Sequence, residues 1–334
     1  MDEQRILLAH GNGGRFMREL VAEIFARHLA NPLLDTEADA VPLPGVSGQL
    51  MLTTDGFTVQ PLEFPGGNLG SLAVHGVVND LAVAGAAPRY LTLSAIIEEG
   101  LEVAQLDRLI ASFAQAAQAC GAAVAAGDTK VVPRGQGGGL YLNVAGIGER
   151  QASAALGLKG IRSGDAVLVS GPVGDHGVAV LLAREQFGLS GELQSDSASV
   201  LPLAQAIWHL PGLKFMRDPT RGGLATVAHE IAQATGHSIN LQQAAVPVRG
   251  EVQAVCEMLG YDPYYLACEG RIVAIVEAAT AEQILTAWRA LPDGQDAALI
   301  GRIEAGGGRV LLETELGGRR VLPELEDDPL PRIC

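Results

Sequence analysis

The chain lacks most of what would make a membrane, secreted or nucleic-acid-binding protein. No stretch approaches the ~18 uninterrupted apolar residues of a membrane-spanning helix, although 48% of its 334 residues are hydrophobic. The opening Met1-Asp-Glu-Gln-Arg has neither the basic region nor the apolar core of a secretory signal. Cysteine is scarce: the four, at 120, 256, 268 and 334, form no CxxC pair and no zinc-finger spacing. That excludes a disulfide framework and a zinc ribbon, and a reducing cytoplasm is the expected location. Lysine is rarer still, 3 against 20 Arg, within a formal net charge of −15. With no basic run to neutralise phosphates, a nucleic-acid partner is excluded. No Gly-Lys pair and no GxGxxG occur, so neither a P-loop nor a Rossmann fingerprint is present. Prenylation is excluded too, since its cysteine stands four residues from the end and here the cysteine is last.

Length and glycine are what the chain does have. At 334 residues it exceeds one ordinary core, and two α/β domains are expected. Strands are expected at 50–54, 91–97, 122–126 and 140–147, with helices at 69–85 and 101–120. The second half repeats the style, with strands at 166–170, 213–217, 271–276 and 297–303 and helices near 176–187, 197–209, 223–234, 250–259 and 281–290. Glycine and charge break the periodicity between 152 and 162. The expected division is 1–155, 156–322 and a flexible tail, 323–334. Glycine makes up 42 of 334 residues, well above the usual ~7%. Its clusters (11–14, 66–67, 135–139, 174–177, 222–223) suit either tight turns or close backbone approach to phosphate.

The candidate chemistry concentrates in the first half. Leu52-Thr-Thr-Asp55-Gly-Phe places a carboxylate where a strand meets a glycine, either stabilising a turn or projecting into a cleft. Asn79 and Asp80 interrupt an apolar helical run, and a buried carboxylate there needs a partner or a metal. Ala125-Ala-Gly127-Asp128-Thr129-Lys130 sets acid, hydroxyl and ammonium within three positions. Carboxylates suit Mg2+, and a lysine beside them would neutralise charge on a transferring phosphoryl group. In the second half, Gly174-Asp175-His176-Gly177 joins a strand to a helix whose N-terminus could face an anion. Glu269 precedes a strand, as a surface acid or a general base. Cys120, Cys256 and Cys268 read as small packed residues.

The final residue, Cys334, ends the tail Pro323-Glu-Leu-Glu-Asp-Asp-Pro-Leu-Pro-Arg-Ile-Cys334. Twelve extended residues would let its thiol sweep roughly 40 Å, and Pro329 and Pro331 keep that segment out of a helix.

Taken together, Thr54-Asp55-Gly56, Asn79-Asp80, Gly127-Asp128-Thr129-Lys130, Gly174-Asp175-His176-Gly177 and Asp218-Pro-Thr-Arg-Gly-Gly-Leu resemble the aminoimidazole-ribonucleotide-synthetase-like ATP enzymes. Ala9-His-Gly-Asn-Gly-Gly-Arg15, Phe64-Pro-Gly-Gly-Asn68 and Pro331-Arg-Ile-Cys334 narrow the resemblance to the carbamoyl dehydratases of NiFe-hydrogenase maturation, the HypE family. The resemblance spans essentially the whole chain. It implies a homodimer of two-domain chains, N-terminal sheets paired into a barrel-like core, ATP and Mg2+, and a terminal cysteine carbamoylated by the carbamoyltransferase HypF. ATP-dependent dehydration to a thiocyanate would then supply cyanide to the hydrogenase iron on a HypC–HypD scaffold. On this reading Asp55, Asp80 and Asp128 hold the metal and Lys130 stabilises phosphoryl charge. Glu269 serves as base, and Asn79, Thr129, Gly174, Asp175 and Gly177 help hold the nucleotide. A selenophosphate synthetase would carry a reactive cysteine or selenocysteine and a lysine in the loop 9–15, where this chain has neither. A purine-pathway ligase leaves Cys334 unexplained, and the alternative of another class is a nucleotide-binding thiol carrier without turnover.

Overall fold

The computed structural model describes residues 4–12, 14–38, 40–152, 156–184 and 191–326. They fall into two compact units, one of residues 4–81 and 87–150, the other of 82–86 and 151–326.

The first unit begins with helix α1 (Arg15–Leu20), which passes through a π-helical stretch, Val21–Ala26, into α2 (Arg27–Leu29). Then come β1 (Leu50–Phe57), the short pair β2 (Glu63–Phe64) and β3 (Gly67–Asn68), helix α3 (Leu69–Val83), β4 (Ala86–Glu98), α4 (Val103–Ala119), β5 (Ala123–Val132) and β6 (Leu140–Arg150). The main sheet has the order β1-β6-β4-β5. β4 and β5 are parallel, a pairing that needs a crossover, and α4 supplies it. Its Leu106, Leu109, Ile110, Phe113 and Ala117 recur at helical spacing and are buried.

Glycines set how closely the helices approach. A Cβ on Gly70 of α3 would lie 1.9 Å from the Leu109 carbonyl oxygen of α4. One on Gly76 would lie 2.5 Å from the Phe57 ring, and one on Gly146 of β6 2.4 Å from Val77. The helices cover one face of the sheet, packing on Phe57, Leu91, Leu93, Leu142 and Val144. Alternate residues on the opposite face stay open: Leu50 is 58% exposed, Leu52 73%, Ile96 41% and Tyr141 37%.

The second unit holds β7 (Ala166–Val169), α5 (Asp175–Ala183), α6 (Leu201–Ile207), β8 (Leu213–Arg217), α7 (Gly223–Thr235), β9 (His237–Gln242), α8 (Gly250–Leu259), β10 (Val273–Val276), α9 (Ala281–Arg289), β11 (Ala298–Gly307), β12 (Val310–Glu313) and β13 (Arg319–Val321). Seven strands run in the order β13-β12-β9-β11-β7-β10-β8. β7 and β10 lie inside the sheet and are buried at every position, so they read as unbroken apolar runs. The helix expected at 197–209 starts later, at Leu201. Ala198 instead bonds the Glu269 carbonyl, and a Cβ on Gly270 would lie 1.9 Å from the Asp196 carbonyl oxygen.

Candidate active site

β1 runs on to Phe57, so Asp55 sits within the strand and not at a turn. Thr53, Asp55 and Phe57 share its helix-facing side, because alternate strand residues point the same way. Thr53 Oγ1 donates to Asp80 Oδ2 of α3 at 2.8 Å. Asp55 Oδ1 accepts from the Gly56 amide at 2.8 Å, and Asn143 Nδ2 donates to the Asp55 carbonyl at 3.2 Å. Asn79, one residue before Asp80, is 1% exposed. Asp80 thus lies beside Thr53 where β1 packs on α3, with Asp55 two residues further along the same face of the strand, both carboxylates half-buried.

Asp128 and Lys130 lie elsewhere. β5 continues to Val132, so the motif is strand, with Asp128 opposite Ser94, Thr129 opposite Ala95 and Lys130 opposite Ile96. Thr129 and Ala95 face the helices and are buried, whereas Asp128 and Lys130 point out on the open face. Asp128 Oδ1 accepts from the Thr129 amide at 2.8 Å. β5 is the third strand from β1, about 14 Å away at ~4.8 Å per strand. A three-carboxylate metal cage within one chain is therefore corrected: Asp55 and Asp80 share a neighbourhood, and Asp128 is on the other edge and face. No cluster of three or more metal-ligating side chains occurs among the described residues.

Along the free edge of β5 lies a cavity of about 400 Å3, lined by Phe25, Leu34, Val41 and Val124 with Gly127, Asp128 and Thr129. Apolar walls with a few convergent polar groups at one side suit an aromatic base carrying a polar extension.

In the second unit, the expected anion loop is committed to packing. A Cβ on Gly174 would meet Val252 at 3.1 Å, and one on Gly177 would meet Leu266 at 3.2 Å. Asp175, 1% exposed, takes Arg249 Nε at 2.8 Å and stands 3.6 Å from Arg271 Nη2, while its Oδ1 has no protein partner. Burial pushes its carboxyl pKa up, against the pull of Arg249. His176 is wholly buried, Nδ1 2.8 Å from Ser195 Oγ, and burial lowers its pKa to about 4. Gly174 and Gly177 are thus held in internal packing, while Asp175 keeps one buried carboxylate oxygen without a protein partner.

Glu269 is 6% exposed, so the surface-acid alternative fails. Asp196 clasps its backbone, Oδ1 accepting from the Glu269 amide at 3.1 Å and Oδ2 from the Gly270 amide at 3.3 Å. Arg271 Nε lies 3.5 Å from Asp196 Oδ2 and donates to the Pro172 carbonyl at 2.9 Å. Sequence reasoning missed Asp196; its only cue was one acid in a serine-rich stretch. Cys120, Cys256 and Cys268 are buried, and burial pushes the Cys256 thiol up to about 12 and that of Cys268 well above its ordinary value. Cys334 lies outside the described residues.

The chain matches the N-terminal domain of AIR synthase related proteins over residues 37–150 and their C-terminal domain over 162–313. It is 45% identical to the carbamoyl dehydratase HypE of Escherichia coli K12 over 334 residues, 98% of this chain and 99% of that one. The chain belongs to the HypE family. The structure of a HypE in complex with ATP superposes with a TM-score of 0.93 at 43% identity, covering 98% of this chain and 99% of that one. The HypE in a HypE–HypF complex superposes at 0.80 and 39% identity, over 92% and 99%. The expected two-domain α/β fold of this family is borne out, and no described helix is long and apolar enough to cross a membrane.

Proposed function

We propose that the chain uses ATP to dehydrate an S-carbamoyl group on Cys334 to a thiocyanate. The observation carrying this reading is the end-to-end match to a named carbamoyl dehydratase, 98% of this chain against 99% of the relative. The carbamoyl oxygen attacks the γ-phosphorus, ADP leaves and the nitrogen gives up the first of its two protons; the S–C(=NH)–O–phosphate then loses its remaining N–H proton and phosphate, leaving S–C≡N. Phosphate carries away the oxygen, so atoms balance without an outside oxidant or reductant.

Each residue takes a limited part. The cavity beside β5 holds the base and ribose, with Asp128 and Thr129 at its polar side. Lys130, a fixed positive charge on the same strand, balances charge spreading over the transferring phosphoryl group. Asp55 and Asp80 offer carboxylate oxygens on the β1–α3 seam, donors of the kind that fit Mg2+; bound there, the ion would neutralise phosphate charge. Glu269, held by Asp196 inside the second unit, takes the second nitrogen proton, the first passing to solvent.

Asp55 with Asp80 and Asp128 with Lys130 lie on opposite faces and edges of one sheet. We therefore assign them to one nucleotide through a homodimer, in which β5 of one copy completes the β1–α3 site of the other. The open face bearing Leu50, Leu52, Ile96 and Tyr141 is the surface a second copy would cover. A HypF-type carbamoyltransferase would load Cys334, and a HypC–HypD scaffold would receive cyanide, in the cytoplasm where thiols stay reduced. ATP hydrolysis is expected only after S-carbamoylation of Cys334. Equal hydrolysis by the unmodified chain would overturn the reading.

A further inference from the structure

The last described residues are docked, although the sequence suggests a free tail from 323 onward. Leu322 is fully buried, its amide bonded to the Val310 carbonyl at 2.9 Å and its carbonyl accepting from His229 Nε2 at 3.0 Å. Tyr265 donates its hydroxyl to the Pro323 carbonyl at 2.6 Å, and Gln233 Nε2 donates to Glu324 Oε1 at 2.8 Å. Leu325 Cδ2 sits 3.2 Å from where a Cβ on Gly222 would be. Just upstream, Arg320 pairs with Asp262.

These partners share one corner of the second unit. His229 and Gln233 are four apart on α7 and so project from the same face, and Gly222 caps that helix in the left-handed region at φ +67°. Tyr265 closes the turn Pro263–Tyr265, four residues before Glu269. A Cβ on Gly223 would lie 2.4 Å from the Leu266 carbonyl oxygen, so the α7 N-terminus and this turn pack backbone to backbone. Arg221-Gly-Gly223, whose glycines suited either a tight turn or an approach to phosphate in sequence, here makes room for the tail and the turn.

We propose that this corner is a docking station fixing the pivot of the C-terminal arm at Leu325, with Tyr265, His229 and Gln233 as positioning residues for delivery of Cys334. The proposal rests on the dehydratase reading. Nine residues follow Leu325, a reach of about 30 Å rather than roughly 40 Å. The arm then starts from the same packed corner that carries the Glu269 segment, and every delivery begins from one place. A pivot released to Val321 would lengthen the tether and dilute the thiol at the site.

The test is a single-turnover measurement on full-length S-carbamoylated protein at saturating ATP, comparing wild type with Tyr265→Phe/Leu325→Ser. Phe keeps the ring and Leu325 lies outside the core, so the fold survives. Thiocyanate formation is expected to slow roughly fivefold or more, about the weight of one net hydrogen bond, with ATP affinity unchanged. A rate within 1.5-fold of wild type, on the order of experimental scatter against the expected loss, would overturn the pivot. A parallel loss of ATP affinity would also overturn it, by making the corner merely structural. If wild-type protein formed no thiocyanate, the dehydratase reading itself would fail.

Discussion

Asp196→Ala should be among the most damaging single changes in the second unit. The Asp196 side chain has no exposure, and it satisfies the amides of Glu269 and Gly270 and faces Arg271 at 3.5 Å. Alanine leaves two buried N–H groups unpaired and takes from Arg271 one of its two nearby carboxylates, the other being Asp175 at 3.6 Å. The gap cannot close by collapse, because Gly270 already lies backbone to backbone with residue 196. Breaking a buried pair of this kind costs about 3–5 kcal/mol. At about 2–4 °C per kcal/mol for a domain of this size, the transition of the second unit should fall by roughly 6–20 °C in scanning calorimetry. Asp196→Asn keeps one acceptor oxygen and should lose about half as much. Dehydration by Asp196→Ala, measured well below its melting point, should fall further than ATP binding does, because Glu269 loses its backbone clasp. A melting point within ~3 °C of wild type, or about 1 kcal/mol, would refute the clasp.

Acid should weaken both units. Burial holds His75 and His176 at about 4 against an ordinary 6.5, so unfolding takes up protons between those values. Their contribution is complete above pH 6.5 and is lost as pH falls toward 4, by about 3 kcal/mol each at ~1.36 kcal/mol per pKa unit; a melting point flat from pH 7 to 4.5 would contradict this. Gly70→Ala forces α3 off the Leu109 carbonyl and should cost about 1–3 kcal/mol, read by urea unfolding of the first unit. Leu52→Glu puts charge on the open face and should halve the solution mass in light scattering; an unchanged mass argues against that face as the interface. Lys130→Ala should slow dehydration by about 10²-fold or more, as loss of one electrostatic stabiliser does, with the melting point unmoved because the side chain is exposed.

Sequence pattern reached some elements and not others for physical reasons. α3, α4, α7, β4 and β6 were legible because one face is buried and the other open or lined by a second layer. β9 was not: His-Ser-Ile-Asn-Leu-Gln alternates polar and apolar over a short span, yet Ser238 through Leu241 are all buried inside the sheet. β12 and β13 are four and three residues long, too short for any period to show. Asp55, Asp80, Asp128 and Lys130 were legible as chemistry, but the faces were not. Only the strand order and the β4–β5 register separate Asp128 from Asp55. Asp196 escaped notice because its partners are backbone amides 73 and 74 positions away. The tail read as free from 323 because nothing in Pro-Glu-Leu-Glu announces that Tyr265, His229 and Gln233 will hold it.

The central claim is that Cys334 carries the group being dehydrated. Mass spectrometry of the intact chain and of its C-terminal peptide, after carbamoylation and then after addition of ATP and Mg2+, tests it most directly. One carbamoyl group's mass is expected on Cys334, followed by loss of one water from that same peptide only when ATP is present, and neither change in Cys334→Ala. Water loss without ATP, or a thiocyanate formed on Cys334→Ala protein, would contradict it.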